Sequence, residues 1–306
     1  MRDTFIKALG ELAEVDPRIF LITGDLGFGV LDDFSSRRAH QFLNAGVAEQ
    51  NMTGLATGLA LEGRIVFTYS IGNFPTLRPL EQIRNDAAYH GANVKVVAVG
   101  GGFSYGALGM SHHATEDLAI MRALPGVTVV SPGDKWETLC AVRAIAETPG
   151  TCYLRLDKSS AGWTDRPGEQ FVLGKARQLR NGDALTLVVT GGILGVALEV
   201  ADTLAQEGLQ CRVLSMHTIS PLDIQSLIAA ARETGGILSI EEHGVTGGLG
   251  GAIAESLLEA GVPPRRFYRI GLRAGFSSIV GSQAFLRSAY GMDAGAIAAA
   301  ARHMAE

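Results

Sequence analysis

Cysteine is scarce in this chain, with Cys140, Cys152 and Cys211 the only three in 306 residues. An odd count without metal-type spacing argues against both a disulfide framework and a zinc site, and fits a reducing cytoplasm. Basic runs are missing as well. With 26 Lys and Arg against 31 Asp and Glu, the net charge is −5. Such a surface offers little to a phosphate backbone, so nucleic acid is not an expected partner. No uninterrupted apolar stretch approaches the ~20 residues that cross a bilayer. The opening Met1-Arg-Asp-Thr-Phe-Ile-Lys-Ala breaks its apolar residues with charge. The expectation is a cytoplasmic chain with no membrane contact. Four glycines, Gly247, Gly248, Gly250 and Gly251, sit together. Their spacing is not Gly-x-Gly-x-x-Gly, so a nucleotide cradle is a weak reading.

What the chain does have is apolar residues, 47% of the total, over a length that suits two cores. Short β-branched runs at 19–22, 65–67, 94–99, 127–130 and 152–155 alternate with helical patterns at 3–13 and 135–145. Further runs follow at 185–190, 211–214, 237–240 and 267–270. Alternating β and α implies α/β architecture, two doubly wound domains with mostly parallel central sheets. Gly, Pro and charge dominate after Ser159. This places the first domain at 1–165, a linker at 166–183 and the second domain at 184–306.

The most informative stretch is Asn44-Ala-Gly-Val-Ala-Glu49-Gln-Asn-Met-Thr-Gly54, with one carboxyl among small and apolar residues. The four-residue spacing Val47, Asn51, Leu55, Leu59 predicts a helical stripe that Gly63 closes, with Gly54 and Gly58 open to close approach by another backbone. Two more segments carry candidate chemistry: Tyr69-Ser-Ile-Gly-Asn-Phe74-Pro-Thr-Leu77-Arg-Pro-Leu-Glu-Gln-Ile, and Gly109-Met-Ser-His112-His113-Ala-Thr-Glu-Asp117. By base rate, a first-turn glutamate, a loop phenylalanine and two histidines after a serine are helix-end and core residues.

Taken in order, these segments resemble the transketolase family of thiamine-diphosphate enzymes, and the resemblance spans nearly the whole chain. It implies that Glu49 hydrogen-bonds N1′ of the cofactor's aminopyrimidine and drives the tautomer that deprotonates the thiazolium. It places Phe74 as the ring stacked on that pyrimidine, with Ile71 and Leu77 as pocket walls. It sets His112 at the reacting centre, and His113 and Arg155 beside the substrate. Arg155 matches a family arginine that grips phosphate or carboxylate. His217 and His243 are better read as core or interface residues. Leu108 stands where sugar-phosphate transketolases carry a hydroxyl-binding aspartate. Gly100 and Gly29 replace two phosphate-site groups.

The family's Gly-Asp-Gly…Asn metal motif is nowhere in the chain. By the resemblance, this is the pyrimidine-binding and C-terminal half of a split transketolase, with no metal ligands of its own. A diphosphate-binding subunit is the expected partner, with Mg2+, Ca2+ or Mn2+, in an α2β2 assembly. The expected activity is transfer of a two-carbon ketol unit from a ketose to an aldehyde. The alternatives are the β subunit of a 2-oxoacid dehydrogenase or decarboxylase, and a noncatalytic homologue.

Overall fold

Strands hidden on both faces organise the molecule. The computed structural model describes residues 1–273 and 275–306. Its strands are β1 (Ile19–Thr23), β2 (Phe42–Asn44), β3 (Ile65–Ile71), β4 (Val94–Val99), β5 (Thr128–Val130), β6 (Cys152–Leu156), β7 (Arg177–Arg180), β8 (Leu185–Thr190), β9 (Cys211–Ser215), β10 (Thr218–Ser220), β11 (Ile237–Gly244) and β12 (Phe267–Leu272). Every residue of β4 and of β8 is buried, as expected of parallel strands covered by helices on both sides. One sheet has the order β10-β5-β6-β4-β3-β1-β2, the other β12-β11-β8-β9-β7. All pairings are parallel except β10 with β5 and β7 with β9. The architecture is therefore two doubly wound α/β sheets, as read from the alternation.

The short strands β2, β7 and β10 are not legible in the sequence. β7 lies inside the stretch read as linker. Its Arg177 is buried because it pairs with Asp134, Glu137 and Glu169, so charge masks the period of two. β10 belongs by sequence to the second half, yet it closes the edge of the first sheet antiparallel to β5. A three-residue strand has no periodicity to read, and pairing removes an exposed edge.

The helix Glu49–Leu61 buries its small residues and turns the four-residue stripe outward. Glu49, Met52, Thr53, Ala56, Thr57 and Ala60 are buried, whereas Val47 is 70% and Leu55 39% exposed. Small Ala and Thr side chains let the helix press onto β3. Thr53 and Thr57 satisfy their hydroxyls by donating to the carbonyls four residues back, at 3.0 and 2.9 Å. Outward lie Asn51, Leu55, Gly54 and Gly58, and a side chain at either glycine would meet nothing within 4 Å.

His217 and His243 are fully buried. His217 stacks on Phe171 with ring centroids 4.2 Å apart, and burial, reinforced by Arg177, pushes its pKa down to about 3. An unfolded histidine takes its proton near pH 6.5. The folded pKa is depressed, so the stability is complete above pH 6.5 and is lost as pH falls towards 3, by up to ~1.4 kcal/mol per unit. Thermal melts from pH 7 to pH 4 are expected to fall less steeply for His217→Phe than for the native chain. Equal slopes would show that His217 does not dominate acid sensitivity.

The glycines at 247–251 hold no free anion site. Glu241 already accepts from the amides of Leu249 and Gly250, at 2.7 and 2.8 Å, at the start of the helix Leu249–Glu259.

Candidate functional site

The loops after β1, β3 and β4 converge at the carboxyl ends of the first sheet, where ligands of such sheets gather. After β1, Asp25 takes a left-handed backbone (φ 56°). Its amide donates to the side chain of Asn44 at 2.9 Å, and Asn44 also accepts from Gly46 at 3.0 Å. That clasp fixes the loop leading into the helix Glu49–Leu61 and holds Glu49 at its first turn. Only 3% of Glu49 is exposed.

Phe74 opens a short helix, Phe74–Leu77, after β3. Asn73, buried beside it, donates to the carbonyl of His113 at 2.8 Å. This bond ties the Phe74 turn to the loop 109–113, and His112 meets the Phe74 ring edge-on with centroids 5.1 Å apart. Ser111 lies 3.0 Å from His112 Nδ1. Burial, with His113 and Arg78 nearby, lowers the His112 pKa below the ordinary value, so the ring is neutral near pH 7. Of the other expected pocket walls, Ile71 ends β3 half-buried and Leu77 is exposed.

Arg78 completes the cluster. Its Nη1 donates to both carboxylate oxygens of Glu49, at 2.9 and 2.8 Å, and its Cζ lies 4.1 Å from the Phe74 ring centroid. The sequence alone gives Arg78 no role. Its position four residues after Phe74, on a helical turn, is the available signal.

Two expected substrate residues lie elsewhere. Arg155 is fully buried between the two sheets, donating to Asp117 at 2.8 Å and to the carbonyls of Ala114 and Glu242 at 2.8 and 3.0 Å. Its Nε and Nη2 are thus engaged internally, away from Glu49, Phe74 and His112. His113 is 1% exposed, bracketed by Ser277 and the carbonyl of Gly106. It fastens its loop and does not face the cluster.

A different cavity of about 220 Å3 opens beside the cluster, lined by Met1, Arg2, Asp3, Val99, Tyr105, Asp157 and Lys158, with Arg2 paired to Asp3 at 2.9 Å. Lys158 Nζ sits 3.8 Å over the Tyr105 ring, and Tyr105 is next to His112, with centroids 6.4 Å apart. Partial burial, then repulsion from Arg2, lowers the Lys158 pKa. Arg2 and Lys158 are far apart in sequence and neither carries a motif. Among the described residues no cluster of three or more His, Cys, Asp or Glu side chains could hold a metal ion. No helix described is long and apolar enough to cross a membrane.

A buried glutamate, a half-exposed aromatic ring and a histidine meet at the carboxyl edge of a doubly wound sheet, followed by a second α/β domain. Among family models, residues 1–162 match "Transketolase, pyrimidine binding domain" and residues 174–297 match "Transketolase, C-terminal domain". The chain belongs to the transketolase family, as the half that carries these two domains. It is 38% identical over 266 residues to a subunit of the apulose-4-phosphate transketolase of Phocaeicola vulgatus, covering 86% of this chain and 85% of that one. The 6-deoxy-6-sulfo-D-fructose transketolase subunit SqwH of a Clostridium species is 37% identical and is covered to 94%, across 100% of this chain. A solved structure described as "Split gene transketolase, inactive beta4 tetramer" superposes with a TM-score of 0.88 at 36% identity, covering 99% of this chain and 97% of that one.

Proposed function

We propose that this chain is the pyrimidine-binding subunit of a heteromeric, thiamine-diphosphate-dependent transketolase-like transferase. The observation that carries the reading is the Glu49 carboxylate, buried yet turned towards a planar cationic group lying on Phe74. A carboxylate acceptor beside an aromatic face that already takes a planar group is the pair of contacts an aminopyrimidine requires, so the residues fit the cofactor. When bound, thiamine diphosphate supplies the carbon nucleophile for two-carbon ketol transfer from a ketose to an aldehyde. Glu49 holds and exchanges a proton at pyrimidine N1′. Phe74 fixes the ring plane by stacking. His112, neutral near pH 7, exchanges a hydrogen bond with the substrate oxygen at the reacting centre.

The Arg2 and Lys158 cavity takes the anionic tail of the substrate in place of Arg155. Partial burial and the nearby Arg2 charge disfavour the charged form of Lys158, and an anion bound beside it offsets both. Similarity to subunits of a sugar-phosphate and a sulfo-sugar transketolase supports an anionic ketose. It also favours ketol transfer over the 2-oxoacid alternative.

The diphosphate and its divalent metal, Mg2+ or a substitute, fall to a partner subunit, in an α2β2 complex that is needed for activity. The outward face of the helix Glu49–Leu61, with Leu55, Gly54 and Gly58, and the exposed Val47 just before it are open to that contact. Native mass spectrometry of the chain purified from its own cells, with thiamine diphosphate and magnesium present, is expected to show two copies of each of two chains with bound cofactor. A cofactor-free assembly of this chain alone, unchanged when cofactor is added in excess, would count against the reading.

A further inference from the structure

Resting on that cofactor reading, we propose that Arg78 is a displaceable latch: in the unloaded chain its guanidinium pairs with Glu49 and covers Phe74, and it must swing into solvent before an aminopyrimidine can take both groups. The latch makes the same two interactions that the pyrimidine needs. It is planar, it lies 4.1 Å over the Phe74 ring, and it donates to both oxygens of Glu49. One ring face accommodates one stacked plane, and occupation by either excludes the other.

The two ends of the pair differ in what they can do when it opens. The Arg78 side chain is 46% exposed, while that of Glu49 is 3% exposed. Released, Arg78 keeps its hydration, whereas Glu49 is left buried without a donor. Among the described residues, Arg78 is the only side chain that donates to the Glu49 carboxylate. A buried carboxylate without a partner is costly. Arg78 therefore supplies the charge that Glu49 lacks until the partner subunit delivers the cofactor.

Local backbone geometry aims the latch. Arg78 is right-handed helical, with φ −65° and ψ −49°, although Pro79 follows and disfavours that region. The helical offset of four from Phe74 carries the guanidinium back over the ring. The consequence is a competition: apparent cofactor affinity equals intrinsic affinity reduced by the fraction of chains in which the latch is open.

The test has two parts. Thermal melts of the full chain alone, as native, Glu49→Gln, Arg78→Met and the double variant, read the latch without any cofactor. The double variant is expected to lose less than the sum of the singles, and additive losses would overturn the latch. In the complex with the diphosphate-binding subunit, calorimetric titration with thiamine diphosphate at fixed magnesium reads the competition. Arg78→Met is expected to bind about tenfold more tightly than the native complex, with Arg78→Lys between them. Equal or weaker binding by Arg78→Met, where the native complex binds, would overturn the proposal. No binding by either complex, with the melts still coupled, would overturn the cofactor reading itself and the latch with it.

Discussion

Glu49→Gln is expected to lower the turnover of the reconstituted complex by about 10²- to 10⁴-fold, the usual contribution of a positioned proton-transfer group. The amide preserves shape and still presents an oxygen to its neighbours, but it cannot exchange a proton with N1′. Folding should survive, because the helix is held by Met52, Ala56 and Ala60 against β3 and by the Asn44 clasp before it. Assembly with the partner subunit should survive too, since the exposed face of the helix is untouched. The informative result is the split between the two readouts. Full assembly with collapsed kcat assigns the proton to Glu49. Turnover within about twofold of native would remove Glu49 from the chemistry and reopen the noncatalytic alternative.

Why Glu49, Phe74 and His112 can be found by eye, when Arg78 and the Arg2–Lys158 cavity cannot, follows from how each is built. The first three sit inside short segments whose small neighbours and turn residues carry a local signature. Their convergence then follows from a doubly wound sheet that brings its strand ends together. Arg2 and Lys158 share a cavity only because β6 ends beside the first helix, Arg2–Val15. Nothing in either neighbourhood encodes that meeting. The helix Glu49–Leu61 shows a second limit. Its four-residue period is visible, but the apolar stripe at Val47 and Leu55 turns outward because Ala, Thr and a single carboxylate fill the inner face. A sequence with one exposed apolar face and one small-residue face does not state which of them meets the sheet. β10 shows a third, since a strand of three residues that crosses to the other sheet is specified by its tertiary partner alone.

The family resemblance sets Arg155 beside the substrate, the structure engages its Nε and Nη2 internally, and its replacement separates the two readings. Its Nε donates to Asp117 Oδ2 at 2.8 Å, and Tyr153 donates to the same oxygen at 2.6 Å. Its Nη2 reaches Ala114 in the first domain and Glu242 on β11 in the second. Gly101 permits that path, because a Cβ there would come within 2.6 Å of Arg155 Nε. Arg155→Met keeps most of the stem but leaves the Asp117 carboxylate buried with only the Tyr153 hydroxyl, and it strips a donor from two buried carbonyls. Removing one partner of a buried ion pair costs about 3–5 kcal/mol. For a chain of this size that lowers the melting temperature by about 10 °C. Replacing both charges, as Asp117→Leu with Arg155→Met, should cost less than the single change, since no lone buried carboxylate remains. Substrate binding gives the contrast. In the complex, well below the melt, KM for an anionic ketose should stay within about twofold of native for Arg155→Met, whereas Lys158→Met should raise it about tenfold, the loss of ~1.4 kcal/mol of contact. A raised KM with an unshifted melt for Arg155→Met would return this arginine to the substrate. The expected outcome, a falling melt with an intact KM, makes it the joint that fixes the C-terminal domain against the sheet carrying Glu49.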